Sequence, residues 1–257
     1  MDQTTRIPTN LRTLRILEVL GSSEKPMTAT EINAHLGLPK QTVHRLCKTL
    51  EEDGFLTRYG TSLKFQASRR LRRLGAGLLN HSHTHVARRQ ILVGVAKEVK
   101  ETVNFAVPAD DGMRYADRVE TDWAFRVQLP IGSSVPFHCT ASGKCFLKSL
   151  SETAQSSLLQ TMRFEQKTAN THSDPDALLK ELKLSQDRGY AVDNEEFIDG
   201  MVAIAVPVYD DVGNFMAALA FHGPTQRLSL DLAAEHLETL KAASEKLTEA
   251  MFAEGAI

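Results

Sequence analysis

The chain has 257 residues, of which 42% are hydrophobic and 24% charged, and its formal net charge is −2. This length predicts two domains with packed cores. The best apolar runs, 201–209 and 215–221, are too short to span a membrane, and the polar residues 1–10 predict no signal peptide. Three cysteines, an odd number, favour the reducing cytoplasm over a disulfide framework.

The charge is unevenly divided along the chain. Residues 1–77 hold 13 Lys or Arg against 7 Asp or Glu, a balance of +6, whereas residues 78–257 hold 17 against 25, a balance of −8. A basic segment beside an acidic one suggests a polyanionic partner for the first alone. We therefore expect a DNA-binding domain over 1–77 and a second domain over 78–257.

The N-terminal segment predicts three short helices. Residues 11–20 are amphipathic and predict a helix that braces the following module or pairs it with a second copy of the chain. Thr28 and Glu31 have the spacing of a capping box, which starts a second helix. Gly37 then makes the turn, and Pro39 suits the first turn of a third helix because its missing N–H is not needed there.

The third helix has one apolar side and one basic side. Val43, Leu46, Cys47 and Leu50 recur at helical spacing and predict a buried stripe. The opposite face holds residue types that bond base edges and phosphates in a major groove. Two short strands around a turn follow, so residues 28–71 predict a winged helix-turn-helix; an ordinary helical core piece with a solvated face is the alternative. The predicted DNA contacts are Lys40, Gln41, Thr42, His44, Arg45, Lys48, Arg58, Arg69 and Arg70.

A linker follows the wing. An interrupted leucine stripe predicts a linker helix over about 68–84, in which Gly75 and Gly77 are candidate hinge residues. His81 and His85 share one face of this helix and are a candidate metal pair. No local carboxylate or cysteine completes a metal site, so a solvated linker is favoured.

The remaining sequence alternates strands with helices. Two hairpins, within 103–120 and 201–222, have turn sequences at their centres and predict one mixed or antiparallel sheet. With helices packed on its faces, this sheet predicts an α+β domain. The helices are expected over about 86–100, 141–150, 151–162, 175–187 and 230–252.

The segment 138–144 has a sequence suited to ligand binding. A helix is expected to begin near Ala141, and the small residues Thr140, Ser142 and Gly143 let a ligand approach the backbone. The N–H groups at a helix N-terminus bind anions well. A well-packed helix start with nothing bound is the alternative.

Cysteine and histidine side chains suggest a different chemistry for the same region. His138, Cys139, Cys145 and His222 could approach one another and bind zinc or activate a thiolate, although a role in a pocket wall is preferred. The sequence arranges no nucleophile, base and orienting group. We therefore predict no enzyme, no catalytic residue, no metal and no cofactor, and the runner-up function is a small-molecule enzyme that uses Cys139 and has an accessory winged helix.

Three separated motifs resemble one family over nearly the whole chain. They are GLPKQTVHRL at 37–46, PFHCTASGKC at 136–145 and RGYAVDNEE at 188–196, the last followed by Gly200, IAVPV at 204–208 and Gly223-Pro224. In this order they resemble the IclR-type (isocitrate-lyase-regulator) transcriptional regulators. The resemblance implies an N-terminal winged helix and a C-terminal GAF-like domain for effector binding and oligomerisation. One departure is LKFQ at 63–66, where the family often has Tyr-x-Leu-Gly.

The resemblance also implies partners and a mode of action. A homodimer or homotetramer would bind double-stranded DNA at a palindromic operator in the cytoplasm, with no membrane partner. A small organic acid would control operator affinity, and the protein would act as a repressor or an activator. Backbone groups of Ala141 and Ser142 would hold the carboxylate of this effector, and Asp193 would contribute. The implied pocket wall consists of Val127, Val135, Thr140, Met201, Ala203, Ala220 and His222.

Three wall positions depart from the family members that bind small keto acids. Ala203 and Ala220 stand where those members have polar side chains, and His222 stands where they have a small hydroxyl. These changes imply a larger acid with an apolar or aromatic body. His222 could bond a ring substituent or, if protonated, pair with a second carboxylate.

Overall fold

The computed structural model describes residues 7–23, 25–79, 83–124, 126–127 and 129–252. The chain divides into two units, Met1–His81 and Ser82–Ile257, each with its own core. The expected domain boundary after residue 77 stays a prediction. Among the described residues, no helix is both long and apolar enough to cross a membrane.

The first unit is a helix-turn-helix with a wing. A capping box starts its second helix: Glu31 N donates to Thr28 Oγ1 at 3.2 Å, and Thr28 N donates to Glu31 Oε2 at 2.6 Å. Gly37 ends that helix with φ of 62°, a left-handed conformation that glycine adopts without strain. The elements are α1 (Arg12–Gly21), α2 (Ala29–Leu36), α3 (Lys40–Glu52), β1 (Leu56–Arg58), β2 (Phe65–Ala67) and α4 (Arg69–Leu79).

The core of this unit confirms the predicted stripe on α3. Val43, Cys47 and Leu50 are buried, and Leu46 is partly buried beside them. The wing is the antiparallel pair β1 and β2, in which Leu56 lies opposite Ala67. Burial of one face of α3 leaves its other face in solvent. The buried residues are Ile16, Ala29, Ile32, Val43, Cys47, Leu50, Leu56 and Phe65.

The second unit is built on a fully antiparallel sheet. The sequence predicted either a mixed or an antiparallel sheet, and the structure has the antiparallel form. Its strand order is β5-β4-β3-β8-β7-β6, so the two predicted hairpins lie side by side with β3 paired to β8. The strands are β3 (Thr102–Pro108), β4 (Met113–Val119), β5 (Ser134–Val135), β6 (Ala191–Asn194), β7 (Met201–Tyr209) and β8 (Phe215–Pro224). The helices are α5 (His83–Val99), α6 (Ala141–Ser149), α7 (Glu152–Thr161), α8 (Pro175–Arg188), α9 (Leu230–Glu235) and α10 (Leu237–Phe252).

Helices cover both faces of the sheet because alternate side chains of each strand point to opposite faces. On one face Val103, Phe105 and Phe221 pack with α5, α9 and α10. On the other face Ala218 and Ala220 pack with α6, α7 and α8. The small alanines on this second face leave room between the sheet and α6.

The prediction of one long C-terminal helix is wrong. The sequence predicts a single helix over 230–252, but the structure has α9 and α10 with His236 between them. His236 N donates to Ala233 O at 3.1 Å, which tightens the turn and interrupts the α-helical series. The His236 ring packs edge-on against Phe221, with ring centroids 6.0 Å apart, so the contact with the sheet accompanies the break.

The linker is described in part. α4 ends at Leu79 and α5 begins at His83, while residues 80–82 lie outside the described residues, and with them His81 of the candidate metal pair. Gly75 lies within α4. The other candidate hinge residue, Gly77, also lies in this helix.

Candidate functional site

The outer face of α3 presents the residues predicted to contact DNA. Gln41 and Arg45 are exposed, and within the described part of the chain neither side chain forms a hydrogen bond or ion pair. Lys48 is exposed and lies 3.5 Å from Glu52 Oε1. These side chains are therefore available to a partner. Lys40 and His44 are exposed on the same helix, and Thr42 is partly buried.

Two of the predicted arginines stabilise the wing. Arg58 donates to both carboxylate oxygens of Glu51, at 2.8 and 3.0 Å, and its guanidinium lies 3.9 Å from the centre of the Phe65 ring. Arg70 donates to Asp53 O at 2.6 Å and stacks over an aromatic ring in the same way. A phosphate would have to compete with these contacts. Arg69, by contrast, is exposed.

The second unit contains a cavity between the sheet and the start of α6. Its empty volume, counted to the open mouth, is about 490 Å³. Nine of the ten residues expected at the effector site line it: Val127, Thr140, Ala141, Ser142, Asp193, Met201, Ala203, Ala220 and His222. Residues from five separate segments of the chain thus come together. The sequence did not indicate six further lining residues, Asn104, Tyr115, Leu129, Phe197, Ile198 and Val202.

Val135 is the expected wall residue that the cavity lining does not include. It lies in the short strand β5, paired with Met113, and is buried among other core residues. Its side chain contributes to packing behind the cavity. The two-residue length of β5 and its position at the sheet edge could not be inferred from local sequence.

The start of α6 forms the polar end of the cavity. Thr140 is the N-cap: its Oγ1 accepts from Gly143 N at 3.1 Å and donates to Pro136 O at 2.7 Å. The first intrahelical bond is donated by Lys144 N to Thr140 O, so the N–H groups of Ala141 and Ser142 lack an intrahelical acceptor. A Cβ at Gly143 would lie 2.4 Å from Phe137 Cα, so this close approach requires glycine.

Asp193 lines the same cavity as these amides. It is buried in β6, and its Oδ1 accepts from Glu196 N at 2.8 Å and from Phe197 N at 3.3 Å. Burial, with the neighbouring Glu196 carboxylate, raises the pKa of Asp193 to about 7. Near neutral pH a substantial fraction of Asp193 is therefore protonated and able to donate a hydrogen bond.

A buried ion pair attaches the loop after Asp193 to α6. Lys144 is fully buried, and its Nζ lies 2.5 and 2.6 Å from the carboxylate oxygens of Glu196. The Glu196 carbonyl also accepts from the hydroxyl of Thr171 at 2.6 Å. The sequence did not indicate this pair, because its two residues are far apart in the chain. A lysine at the apolar start of α6 was the available signal that it needed a carboxylate partner.

The buried thiols are poor candidates for chemistry. Burial raises the pKa of Cys139 and of Cys145 to about 12, so both remain protonated at neutral pH. His138 Nε2 lies 3.0 Å from Glu165 O. Across the described ranges, no three His, Cys, Asp or Glu side chains lie close enough to hold a metal ion. His85 is 3.9 Å from Asp117 Oδ2.

Sequence comparison matches both units to one family. The IclR helix-turn-helix domain matches residues 11–60, and the C-terminal domain of IclR bacterial transcriptional regulators matches residues 77–249. The probable transcriptional regulator SauR of Cupriavidus necator is 34% identical over 239 residues, which are 93% of this chain and 95% of that protein.

Two solved structures have a fold similar to that of this chain. The Thermotoga maritima IclR structure aligns with a TM-score of 0.63 and 26% identity, over 95% of this chain and 98% of that one. An IclR homolog from Microbacterium hydrocarbonoxydans, complexed with 4-hydroxybenzoate, aligns with a TM-score of 0.59 and 23% identity, over 94% and 98% of the two chains. The chain therefore belongs to the IclR family of transcriptional regulators, with an N-terminal helix-turn-helix domain and a C-terminal effector-binding domain.

Proposed function

We propose that this regulator binds a palindromic operator as a homodimer or homotetramer, and that a small organic carboxylate in the cavity changes its operator affinity. The observation that supports the effector class is the polar end of the cavity. There, two amides without intrahelical acceptors lie in the same wall as Asp193, whose pKa is raised to about 7. This combination suits an anion, because amides and a protonated acid all donate to it.

The remainder of the cavity favours an acid with an apolar or aromatic body. Val127, Met201, Ala203 and Ala220 supply apolar surface, and the two alanines supply space. A bare two- or three-carbon acid would reach little of this apolar surface. The Microbacterium homolog complexed with 4-hydroxybenzoate has the same fold and binds an acid of the proposed class.

DNA binding is proposed through α3 and the wing. Gln41 and Arg45 would bond base edges, because both are exposed. An arginine can donate two hydrogen bonds to guanine, and a glutamine amide can donate to and accept from adenine. Phosphate contacts would come from the basic and hydroxyl side chains around them. That second set is Lys40, Thr42, His44, Lys48, Arg58, Arg69 and Arg70.

We favour a regulator over the alternative enzyme that uses Cys139. A thiol with a pKa near 12 is a weak nucleophile at neutral pH, and Cys139 has no hydrogen-bonded base among the described residues. The proposed function requires no cofactor. Its site of action would be the cytoplasm, where the DNA is.

A gel-shift titration with DNA from upstream of the protein's own gene tests this proposal. We expect a discrete complex whose affinity changes when aromatic or medium-chain carboxylic acids are added. Lys48→Ala should weaken the complex, because it removes a proposed phosphate contact, whereas Lys25→Ala, outside α3, should leave it unchanged. Binding that is insensitive to Lys48→Ala would contradict the placement of the DNA-binding surface.

A further inference from the structure

His222 stands at the end of a buried hydrogen-bond chain beside the cavity. It lies in β8 next to Ala203 of β7, and its ring forms part of the cavity wall. The Nδ1 atom of His222 is 3.0 Å from Asn104 Nδ2. The protonation of this ring decides whether it offers a ligand a donor or an acceptor, since a neutral imidazole has one of each.

Arg118 fixes the orientation of the Asn104 amide. Its Nη1 donates to Asn104 Oδ1 at 2.8 Å, and a guanidinium can only donate, so the atom facing it must be the amide oxygen. Arg118 is itself buried and held, because it also donates to the backbone oxygen of Val127 and to Glu120 Oε1. The amide NH₂ of Asn104 therefore points to His222.

This orientation determines the tautomer of His222. Since Asn104 Nδ2 donates, His222 Nδ1 must accept, and the neutral ring has its hydrogen on Nε2. Nε2 is buried and has no hydrogen-bond partner in the described part of the chain. Buried donors are nearly always partnered in native proteins, so this N–H lacks an acceptor that a bound molecule can supply.

We propose that the effector bears an uncharged acceptor oxygen, of the ether, carbonyl or hydroxyl type, at the end away from its carboxylate, and that His222 Nε2–H donates to it. This inference rests on the proposed carboxylate effector and adds a second point of recognition. It makes His222 a specificity-determining residue and Asn104 and Arg118 positioning residues.

The same surroundings disfavour a protonated His222 ring. Burial, with the nearby positive charges of Arg118 and Arg227, lowers the pKa of His222 to about 3, so the ring stays neutral at physiological pH. A neutral ring can donate one hydrogen bond to a ligand and supplies no countercharge of its own. The sequence-based hypothesis of a protonated His222 paired with a second carboxylate is thus replaced by a neutral donor.

A matched pair of acids tests the inference by calorimetric titration of the full chain. 4-Methoxybenzoate and 4-ethylbenzoate have nearly the same shape, but only the first has an acceptor oxygen. We expect the methoxy acid to bind wild-type protein about tenfold more tightly, the effect of one hydrogen bond. His222→Phe should abolish this difference, whereas His236→Phe, on the opposite face of the sheet, should preserve it.

Nitrogen NMR of protein with ¹⁵N-labelled histidine gives an independent readout. The His222 signals, identified by their loss in His222→Phe, should show a protonated Nε2 and an unprotonated Nδ1. Equal affinity of the two acids for wild type overturns the inference and leaves the carboxylate effector standing. If neither acid binds, the proposed effector class is contradicted. The tautomer of His222 then tests the inference separately, and a ring with its hydrogen on Nδ1 overturns it.

Discussion

Lys144 and Glu196 form a buried ion pair that joins the start of α6 to the loop containing Phe197 and Ile198. The Lys144 Nζ is 2.5 and 2.6 Å from the two Glu196 oxygens, and neither residue is exposed. The amides of the proposed carboxylate site precede Lys144 on α6, while Phe197 and Ile198 follow Glu196, and both segments line the cavity. One buried contact therefore joins two of the chain segments that line the cavity.

Removing one partner of this pair should destabilise the protein strongly. Lys144→Met removes the ammonium group from the buried Glu196 carboxylate and leaves only His172 Nε2, 3.6 Å away, beside it. We expect this change to cost about 3–5 kcal/mol in the free energy of unfolding, measured by urea denaturation. The double variant Lys144→Met, Glu196→Leu should recover most of this loss. Lys148→Met on the same helix is the matched control. An equal loss of unfolding free energy in Lys144→Met and Lys148→Met would show that the ion pair is not the cause.

Effector affinity should fall as the pH rises through neutrality. Asp193 has its pKa raised to about 7, so it is mainly a donor below that pH and mainly an anion that repels a carboxylate above it. Calorimetry should show a decrease on the order of tenfold per pH unit above the pKa, since one proton is taken up on binding. Asp193→Asn should flatten this profile, and the exposed control Asp211→Asn should retain it. A flat wild-type profile would rule out the protonated Asp193.

Substitutions on α3 should separate sequence recognition from general attraction to DNA. Arg45→Ala or Gln41→Ala should cost about 1–3 kcal/mol on the operator and relax sequence preference, because each would lose a base contact. Arg69→Ala should weaken binding to all sequences alike and reduce the salt dependence. Gel shifts at several salt concentrations measure both effects. Unchanged selectivity in Arg45→Ala would mean that α3 is not the recognition helix.

Filling the cavity should abolish ligand binding. Ala220 is buried in the cavity wall, so a phenyl group there would occupy ligand space, whereas Ala242→Phe on an exposed surface should have no effect. Aromatic or medium-chain acids should raise the melting temperature of wild type, and glyoxylate or pyruvate should not. A thermal-shift screen measures this directly. Stabilisation by pyruvate alone would contradict the proposed size of the effector.

Stiffening α4 should change the response to the effector. A Cβ at Gly75 would meet no atom within 4 Å, so Gly75→Ala should be accommodated and should favour helix by roughly 1 kcal/mol, as should Gly77→Ala. We expect the double variant to alter the ligand-dependent change in operator affinity more than the operator affinity without ligand. Gel shifts with and without effector provide the comparison, and an identical response would remove the hinge from the proposal.

Features set by neighbouring residues were predictable from the sequence. The Thr28–Glu31 capping box and the stripe Val43, Cys47 and Leu50 depend on spacings of three to seven residues, which helical geometry converts into contacts. The start of α6 was predictable for the same reason. The motif resemblance then indicated nine of the fifteen residues that line the cavity, although Val135, the tenth expected residue, lies outside the lining.

The relationships that give the cavity its chemistry arise only in the folded sheet. Lys144 and Glu196 are 52 positions apart, and Asn104 and His222 are 118 apart. The strand order β4-β3-β8-β7 places β3 beside β8 and so brings Asn104 to His222, and no local periodicity encodes that order. The sequence by itself therefore determined most of the elements, the helix-turn-helix and the family. The tertiary structure decided which polar groups are buried together, and hence which ionise and which donate, because both depend on desolvation and on partners distant in the chain.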